Sequence, residues 1–232
     1  MAKILLVNPN KWGRGITSIW IASHSGLLKK NNHKVELFDA TFYSNWTVDE
    51  TAYNTKNMQY KETSYKDFIK YSDEDVFKSL QSKVDTFEPD IIFWSAISSH
   101  IHGEGEYVNI QYGYELLSDL KTSAMLITGG LQATSDPKKI MDLMDKIDIL
   151  VRGESENTLL EIANSLNSKK LYNLKGITHR KSEKLINNEP QGITSNLDDL
   201  SPYDYSLFDD QTFFRPYNGE VLRAIDYELS RG

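Results

Sequence analysis

One stretch of the chain decides its fold: Asp90–Ser98, which reads DIIFWSAIS. Its apolar run, Ile91–Trp94, lacks any apolar/polar alternation, which is typical of a parallel strand buried on both faces. The run stops at small and polar residues, which let a ligand approach the backbone closely. Three other apolar runs stop in the same way: Ile4–Val7 at Asn8-Pro9, Met125–Thr128 at Gly129-Gly130, and Ile147–Val151 at Arg152–Glu154. The sequence therefore predicts parallel strands whose carboxyl ends form one ligand-binding edge.

The segments around these runs predict helices that alternate with the strands over residues 1–168. Such alternation implies right-handed crossovers and an α/β fold, a flavodoxin-like or Rossmann-like doubly wound parallel sheet of about five strands with an order near 2-1-3-4-5. The predicted strands are Lys3–Val7, Lys34–Phe38, Asp90–Trp94, Ala124–Thr128 and Asp148–Val151. The predicted helices cover about residues 17–31, 73–87, 108–121, 137–144 and 158–167.

The C-terminal part of the chain changes in character. Residues 169–196 predict a β-hairpin appendage, in which Leu174–Arg180 and Leu185–Asn188 flank a polar turn. Residues 197–232 predict an extended linker with one more strand, Val221–Leu229. The linker is rich in aromatic residues, whereas disordered linkers are poor in them. We therefore expect it to pack either on the sheet domain or on a domain that follows.

Composition argues against several classes of function. The net charge is −7, so the chain has no basic surplus with which to neutralise the phosphates of a nucleic acid. No apolar run approaches the roughly 18 residues that span a membrane. The sequence enters its first strand at Lys3 with no signal peptide before it, which predicts a cytoplasmic location. The chain contains no cysteine, so disulfides and thiolate metal sites are not expected within it.

The residues at the predicted edge have both a ligand-binding and a structural interpretation. Gly129-Gly130 permits positive φ and leaves no Cβ in the way of a ligand, but the pair also suits a tight turn. Ser95 is placed either to hydrogen-bond a ligand or to cap its own backbone. No catalytic or metal-binding residue is assigned. The candidate cofactor-binding residues are Asn8, Pro9, Ser95, Ala96, Ile97, Ser98, Gly129, Gly130, Leu131, Gly153 and Glu154.

Three further motifs are ambiguous or negative. Glu154 and Glu156 have the spacing of a carboxylate pair for acid–base chemistry, but acidic residues at a helix start more often satisfy its free N–H groups. His100 and His102 would share one face of a strand, as metal ligands do, but no third ligand is obvious nearby. Gly13–Gly15, which reads GRG, is neither a dinucleotide fingerprint nor a phosphate loop, because the third glycine and a Gly-Lys-Ser/Thr run are missing.

Taken together, motifs along the chain resemble the N-terminal half of radical SAM enzymes that carry a cobalamin-binding domain. The resemblance covers nearly the whole chain, and residues 41–75 match least. No single motif is specific, but the motifs occur in the order of the family. They are Asn8-Pro9, Ser95–Ile97, Thr128–Gly130, Ala133-Thr134, Arg152–Glu156, Lys175–Ile177, Leu197–Asp204 and Glu228–Gly232.

The resemblance implies a cofactor and a partner domain. Ser95, Gly129 and Gly130 match the family positions that make room for the nucleotide tail of cobalamin. In the family, the residue after the motif at Ser230–Gly232 is the first cysteine of CxxxCxxC. That motif holds a [4Fe–4S] cluster and opens a radical SAM barrel. We therefore expect residues 197–232 to be the linker and the start of that barrel, with the chain truncated just before the cluster motif. The resemblance assigns the cluster and S-adenosylmethionine to the intact parent enzyme only. The parent would also bind a small-molecule or peptide substrate, and its reaction would often be methyl transfer.

The first loop departs from cobalamin domains of the methionine-synthase type. Those domains carry Asp-x-His-x-x-Gly, whose histidine ligates cobalt, whereas Asn8–Gly15 reads NPNKWGRG. We therefore expect base-off cobalamin with no protein histidine on cobalt, presented to the radical SAM barrel of the same polypeptide. Two alternatives remain open. One is a scaffold domain that has lost cobalamin, and the other is a flavodoxin-like protein for flavin or a nucleotide, which would lack the phosphate loop such ligands prefer.

Overall fold

A large β-sheet organises residues 1–187 in the computed structural model, which describes residues 1–48, 65–95, 107–182, 184–217 and 219–228. The strands are β1 (Lys3–Asn8), β2 (Lys34–Asp39), β3 (Ile91–Ser95), β4 (Met125–Gly129), β5 (Ile149–Val151), β6 (Ile177–Lys181) and β7 (Lys184–Asn187). Their order across the sheet is β2-β1-β3-β4-β5-β6-β7. The first five pair in parallel, which confirms the predicted doubly wound order.

The predicted C-terminal hairpin is part of the same sheet. β6 pairs antiparallel with the outer edge of β5, and β7 pairs antiparallel with β6. The reason is that a strand at the edge of a sheet leaves unpaired N–H and C=O groups, which a following hairpin can satisfy. The sheet therefore has seven strands in the described ranges rather than the expected five with a separate appendage.

Helices cover both faces of the sheet. They are α1 (Ile19–Lys30), α2 (Val76–Phe87), α3 (Tyr107–Leu117), α4 (Leu131–Ser135), α5 (Pro137–Leu143) and α6 (Ser155–Ser165). The short α4 was not expected from the sequence, and α6 begins three residues earlier than predicted. None of the helices in the described ranges combines the length and the apolar character needed to cross a bilayer.

Strand alternation divides the core into two layers. Leu6, Phe93 and Ile127 point to the layer that α1 and α6 cover, whereas Ile92 and Trp94 point to the layer under α2, α3 and α5. Each fully buried side chain of this size stabilises the fold by about 1.5–3 kcal/mol relative to exposure. The two helical layers thus leave only the ends of the parallel strands open to a ligand.

The predicted linker packs on α1, which is the first of its two expected positions. We call residues 201–228 the C-terminal strap. A Cβ on Gly26 would lie 2.3 Å from the carbonyl oxygen of Pro202, and a Cβ on Gly15 would lie 2.0 Å from that of Thr212. Because no Cβ fits at either distance, both positions require glycine while the strap is in place. Tyr203, Tyr205 and Phe208 join the core layer on this side.

Polar contacts add to the packing of the strap on α1. Asp204 accepts hydrogen bonds from Ser25 Oγ at 2.5 Å and from Lys29 Nζ at 2.6 Å. Burial alone would raise the pKa of Asp204, but the hydrogen bonds from Lys29, Ser206 and Ser25 outweigh burial and lower it. The carboxylate is therefore charged over the physiological range and holds the strap to the helix.

The strap ends in a second, two-stranded sheet of β8 (Phe214–Tyr217) and β9 (Glu220–Arg223). The prediction of one continuous strand over Val221–Leu229 is wrong, because β9 ends at Arg223. The missed signal is the dipeptide Asn218-Gly219, which is typical of a hairpin turn. Gly219 has φ of +91°, a conformation that glycine adopts without strain.

Candidate functional site

The carboxyl ends of β1, β3 and β4 meet at one edge of the sheet. β3 lies between β1 and β4, and Ser95 stands opposite Gly129 in the pairing register. At the end of β1, Asn8 stands opposite Asp39 of β2. By alternation, these four residues share the face that α1 and α6 cover. We call Asn8, Asp39, Ser95 and Gly129 the carboxyl-edge corner.

Most of the described residues that the sequence singled out belong to the corner or directly follow one of its members in sequence. Asn8, Pro9 and Ser95 are buried there. Gly130 follows Gly129 with φ of +114° and precedes α4. Leu131 begins α4 with 66% of its surface exposed, which is high for a leucine. The candidates Ala96, Ile97 and Ser98 lie outside the described residues.

A buried polar network occupies the β1–β2 side of the corner. Asp39 Oδ1 accepts hydrogen bonds from Asn8 Nδ2 at 3.0 Å, from the backbone N–H of Thr41 at 3.0 Å and from Thr41 Oγ1 at 2.5 Å. Burial raises the pKa of Asp39, and the hydrogen bonds from Thr41 and Asn8 oppose that rise. Among the described residues, Oδ1 therefore accepts all of the hydrogen bonds that the Asp39 carboxyl group receives.

Three polar atoms in and beside the corner are buried without a hydrogen-bond partner among the described residues. They are Asp39 Oδ2, Asn8 Oδ1 and Trp20 Nε1. Trp20 belongs to α1 and packs edge-to-face on Phe93, with 5.6 Å between ring centroids. Buried polar groups in proteins are almost always satisfied by protein, water or ligand. The corner thus offers both an acceptor and a donor to a bound molecule.

Gly129 is not needed for packing within the protein. A Cβ at this position would have ordinary contacts, the nearest of which is 3.5 Å from the carbonyl oxygen of Val151. Its backbone also has no positive φ, unlike Gly130. Among the described residues, neither a neighbour nor backbone geometry requires glycine at residue 129. Glycine here leaves room for a molecule to approach the strand end closely.

The loop from Asn8 to Gly15 is fixed by contacts along its length. Asn10 Nδ2 donates to the carbonyl of Arg14 at 2.9 Å, and Tyr71 OH donates to the carbonyl of Gly13 at 2.6 Å. The backbone N–H of Gly15 donates to Tyr65 OH at 2.9 Å. The loop beside the corner is therefore held in place by hydrogen bonds along its length.

Lys11 adds an ion pair and cation–π contacts to this loop. Its Nζ lies 2.9 Å from a carboxylate oxygen of Glu115, 3.8 Å from the ring centroid of Trp46 and 4.4 Å from that of Tyr112. The side chain is only 14% exposed, so both the ion pair and the cation–π contacts are partly desolvated and stronger than on an open surface. Lys11 thereby holds the loop to α3 and to the turn after β2.

The end of β5 is different, because its motif residues bind other parts of the chain. Arg152 Nη2 donates to the carbonyls of Ile177, at 3.3 Å, and of Asn188. Burial lowers the pKa of Arg152. A Cβ on Gly176 would lie 2.9 Å from Gln191 Cβ and 3.3 Å from the carbonyl oxygen of Arg152. We call Arg152, Glu154 and Gly176 the β5 tie, since they hold later parts of the chain to the end of β5.

The structure favours the structural interpretation of the acidic motif after β5. Glu154 Oε2 accepts a hydrogen bond from the backbone N–H of Thr194 at 2.7 Å. Glu156 is buried and accepts a hydrogen bond from Ser23 Oγ at 2.8 Å. The two carboxylates therefore bind different neighbours instead of forming an acid–base pair. Gly153 donates its N–H to Thr134 Oγ1 at 2.8 Å.

The described histidines are buried and bound to other parts of the chain. His24 Nε2 lies 2.9 Å from Ser155 Oγ, and His33 Nδ1 accepts from the backbone N–H of Ala2 at 3.1 Å. His179 is 4% exposed and packs on Tyr172. Within the described ranges, no group of three His, Cys, Asp or Glu side chains is arranged to hold a metal ion. His100 and His102, the two histidines near the predicted edge, lie outside these ranges.

Comparisons with known proteins identify the fold. The chain matches no protein-family model. It is 24% identical over 132 residues to an uncharacterized methyltransferase of Pyrococcus horikoshii. These 132 residues are 56% of this chain and 28% of the methyltransferase. The chain therefore spans less than a third of the length of the curated relative that it matches.

Two solved structures of the radical S-adenosylmethionine methyltransferase TsrM from Kitasatospora setae have a similar fold. The structure with cobalamin and a [4Fe–4S] cluster bound has a TM-score of 0.58 and 17% identity, covering 89% of this chain and 32% of that one. The structure with tryptophan substrate and aza-SAM bound has a TM-score of 0.57 and 17% identity, covering 82% and 30%. At this identity the likeness establishes a shared fold.

Proposed function

We propose that this chain is the cobalamin-binding domain of a B12-dependent radical SAM enzyme and holds base-off cobalamin at the carboxyl-edge corner. One observation carries the proposal: Asn8, Ser95 and Gly129 share a face at adjacent strand ends, beside a buried acceptor and a buried donor that have no partner among the described residues. The shared fold with a protein solved with cobalamin bound supports the choice of ligand.

The chemistry of the corner fits cobalamin. The corrin periphery carries amide groups, which both donate and accept hydrogen bonds, so they match Asn8 Oδ1 and Trp20 Nε1. Gly129 and Gly130 leave space at the backbone, and the exposed Leu131 offers an apolar contact. Bound cobalamin would supply a cobalt centre able to carry a methyl group. Asn8, Trp20, Gly129 and Leu131 would hold and orient it.

The rest of the proposed enzyme lies on other residues. The chain has no cysteine, so a thiolate-ligated [4Fe–4S] cluster and S-adenosylmethionine belong to a radical SAM barrel elsewhere in the same polypeptide. The reaction of the whole enzyme is methyl transfer to a small-molecule or peptide substrate. This assignment is supported by the names of the methyltransferases that the chain resembles.

The contacts at the N-terminus of α1 argue against a phosphate-binding site for a flavin or a nucleotide there. The N-terminus of the first helix is where such folds hold phosphate groups. Here Arg215 forms a bidentate ion pair with Asp226 and also donates to Thr17 Oγ1, at 3.1 Å, just before α1. The backbone N–H of Asp226 donates to Thr17 Oγ1 at 2.8 Å. An ion pair of the chain itself is therefore bound to Thr17, just before the start of this helix.

Spectroscopy of the reconstituted chain tests the proposal. The chain is incubated with hydroxocobalamin, separated from free cobalamin and reduced to cob(II)alamin. We expect a bound cobalamin whose electron paramagnetic resonance spectrum lacks nitrogen superhyperfine splitting. A colourless protein contradicts cobalamin binding and favours the scaffold alternative. Splitting that disappears in His100→Ala or His102→Ala contradicts the absence of a histidine on cobalt and identifies that ligand.

A further inference from the structure

Two hydrogen bonds join the sides of α1 and α6, and they differ in how far their residues are exposed. Ser23 Oγ donates to Glu156 Oε1 at 2.8 Å, and both residues are buried. His24 Nε2 lies 2.9 Å from Ser155 Oγ, and His24 is buried as well, with 1% of its surface exposed. Ser155, however, is the first residue of α6 and is partly exposed. The second contact therefore links a buried ring to a residue that a ligand can approach.

The direction of this second hydrogen bond follows from the other ring nitrogen of His24. Its Nδ1 lies 2.5 Å from the backbone carbonyl oxygen of Trp20. A carbonyl oxygen only accepts hydrogen bonds, so Nδ1 carries the proton. In the neutral imidazole, Nε2 is then an acceptor, and the hydroxyl group of Ser155 donates to it. The hydroxyl proton is thus committed to His24, and only the lone pairs of Oγ remain for a further contact.

Contacts connect Ser155 to the carboxyl-edge corner. The ring of His24 stacks on that of Phe93, with 5.1 Å between the ring centroids. Phe93 Cζ in turn lies 3.6 Å from a Cβ built on Gly129, which is a member of the corner. The carbonyl oxygen of Val151, the last residue of β5, lies 3.5 Å from the same Cβ, and α6 begins shortly after β5. Ser155 is therefore joined to Gly129 through His24 and Phe93.

A buried histidine is a costly way to fill this part of the core. The layer between α1 and the sheet is built from apolar side chains such as Ile21, Leu28 and Phe93. A polar ring buried in such a layer costs free energy unless its nitrogens are hydrogen-bonded. An apolar ring would fill the same space without that requirement. What His24 adds over an apolar ring is control over the direction of the Ser155 hydroxyl group.

We propose that Ser155 is a ligand-binding residue whose hydroxyl oxygen accepts a hydrogen bond from an N–H or O–H group of the bound molecule, and that His24 positions it to do so. The inference rests on the proposed function, because cobalamin carries both kinds of donor. They are the carboxamide groups around the corrin ring and the hydroxyl groups of the ribose in the nucleotide tail. An acceptor locked in this way favours such neutral donors over a carboxylate, which has no proton to offer.

Nitrogen NMR of the ligand-free chain tests the positioning role of His24. Long-range proton–nitrogen correlation spectra distinguish a ring protonated at Nδ1 from one protonated at Nε2, and the signals of His24 are identified by their loss in His24→Gln. At about pH 8, where an unperturbed histidine is neutral, we expect the proton on Nδ1 alone. A proton on Nε2 overturns the inference, because His24 would then donate to Ser155.

Affinity measurements test the ligand-binding role of Ser155. Ser155→Ala removes the acceptor, Ser155→Thr restores a hydroxyl group, and Ser165→Ala is the matched control, because Ser165 is the last residue of the same helix. Loss of one neutral hydrogen bond predicts roughly three- to tenfold weaker binding of hydroxocobalamin by Ser155→Ala. We expect Ser155→Thr and Ser165→Ala to bind as the unmodified chain does.

Cobinamide identifies which donor Ser155 binds, because it keeps the carboxamide groups of cobalamin but lacks the nucleotide tail. If the donor is a carboxamide, Ser155→Ala weakens the binding of both compounds equally. If the donor is a ribose hydroxyl group, the loss is confined to cobalamin. Either result supports the inference, whereas unchanged affinity for both compounds contradicts it. An equal loss in Ser155→Thr also contradicts it, because the effect would then come from packing.

A double variant tests whether His24 acts through Ser155. His24→Phe keeps an aromatic ring beside Phe93 but releases the Ser155 hydroxyl group, so it should weaken cobalamin binding. In a chain that already carries Ser155→Ala, it should cause no further loss, and additive losses contradict the positioning role. Failure of the unmodified chain to bind cobalamin contradicts the proposed function and the inference together. Unchanged affinity in Ser155→Ala, with binding by the unmodified chain, contradicts the inference alone.

Discussion

The carboxyl-edge corner and the β5 tie are neighbouring parts of one sheet edge that differ in how far the chain itself uses their polar groups. At the corner, Asn8 Oδ1 and Asp39 Oδ2 are buried with no partner among the described residues, and Gly129 has room for a Cβ. In the tie, Glu154 binds a backbone N–H and Gly176 has no room for a Cβ. The comparison teaches that a glycine or a polar residue at a strand end indicates a ligand only where the protein itself does not use it.

The largest expected effect is a loss of stability when Gly176 is replaced by alanine. The same replacement of Gly129 should have little effect on stability. Gly176→Ala places a Cβ at φ of +72° and 2.9 Å from Gln191 Cβ. Left-handed backbone costs a non-glycine residue about 1–2 kcal/mol, and overpacking costs about 1–3 kcal/mol. We expect a loss of about 3 kcal/mol in the free energy of unfolding, measured with urea. Gly129→Ala should change that free energy by less than about 1 kcal/mol, and an equal loss in both variants contradicts the distinction.

The next effect concerns the guanidinium of the β5 tie. Arg152→Met keeps most of the apolar stem but removes the donor to the carbonyls of Ile177 and Asn188. Hydrogen bonds from a charged group contribute about 1.5–3 kcal/mol, so we expect a loss of about 2 kcal/mol. Hydrogen exchange should accelerate in β6 and β7 and stay unchanged in β1. Weaker cobalamin binding with no change in stability would instead assign Arg152 to the ligand.

A smaller, pH-dependent effect is expected at the corner. Burial raises the pKa of Asp39, so the folded state binds a proton more tightly than the unfolded state. The stabilisation by the neutral carboxyl group is complete below its unfolded pKa, about 4, and is lost as the pH rises through the folded value. Asp39→Asn removes this titration. We expect the variant to be more stable than the unmodified chain at pH 7, by about 1 kcal/mol.

The prediction is checked by how the difference in the free energy of unfolding between Asp39→Asn and the unmodified chain changes with pH. Urea unfolding of both proteins between pH 3 and pH 8 should give a difference that disappears toward about pH 4 and below. A variant that is less stable than the unmodified chain at pH 7 would show that the Asp39 carboxylate contributes net stability in its charged form. Thr41→Val is a useful companion, because it removes the hydroxyl that donates to Asp39 Oδ1.

The smallest effect is expected at Glu154. Glu154→Gln removes the charge but keeps an amide oxygen that accepts from the N–H of Thr194. Stability should change by less than about 0.5 kcal/mol, which is the range of most surface substitutions. Cobalamin affinity should not change. A tenfold drop in affinity would move Glu154 from the tie to the ligand site.

Much of the fold is predictable from the sequence, because long apolar runs and helical spacing are local signals. The parallel order of β1 to β5 follows from the alternation of these signals. The pairing of β6 with β5 depends on which edge is open, a property of the assembled sheet. The packing of the strap on Gly15 and Gly26 likewise depends on contacts between distant residues.

The candidate site is predictable only in part. Strand ends are local features, so Asn8, Ser95 and Gly129 could be singled out from their positions after apolar runs. The same pattern at Arg152–Glu154 precedes a structural tie, because Arg152 and Glu154 bind carbonyl and N–H groups from later parts of the chain. Trp20 and Asp39 were missed, because an unsatisfied buried atom has no sequence signature.

The affinity of the chain for hydroxocobalamin, measured for Gly129→Ala against a matched glycine, tests the central claim most directly. Gly192→Ala is the control, because among the described residues only its chain neighbours lie within 4 Å of a Cβ there. An added methyl group that overpacks a binding site costs about 1–3 kcal/mol, which is roughly tenfold or more in the dissociation constant. The account predicts that loss for Gly129→Ala and unchanged affinity for Gly192→Ala. Equal affinity in all three proteins contradicts cobalamin binding at the carboxyl-edge corner.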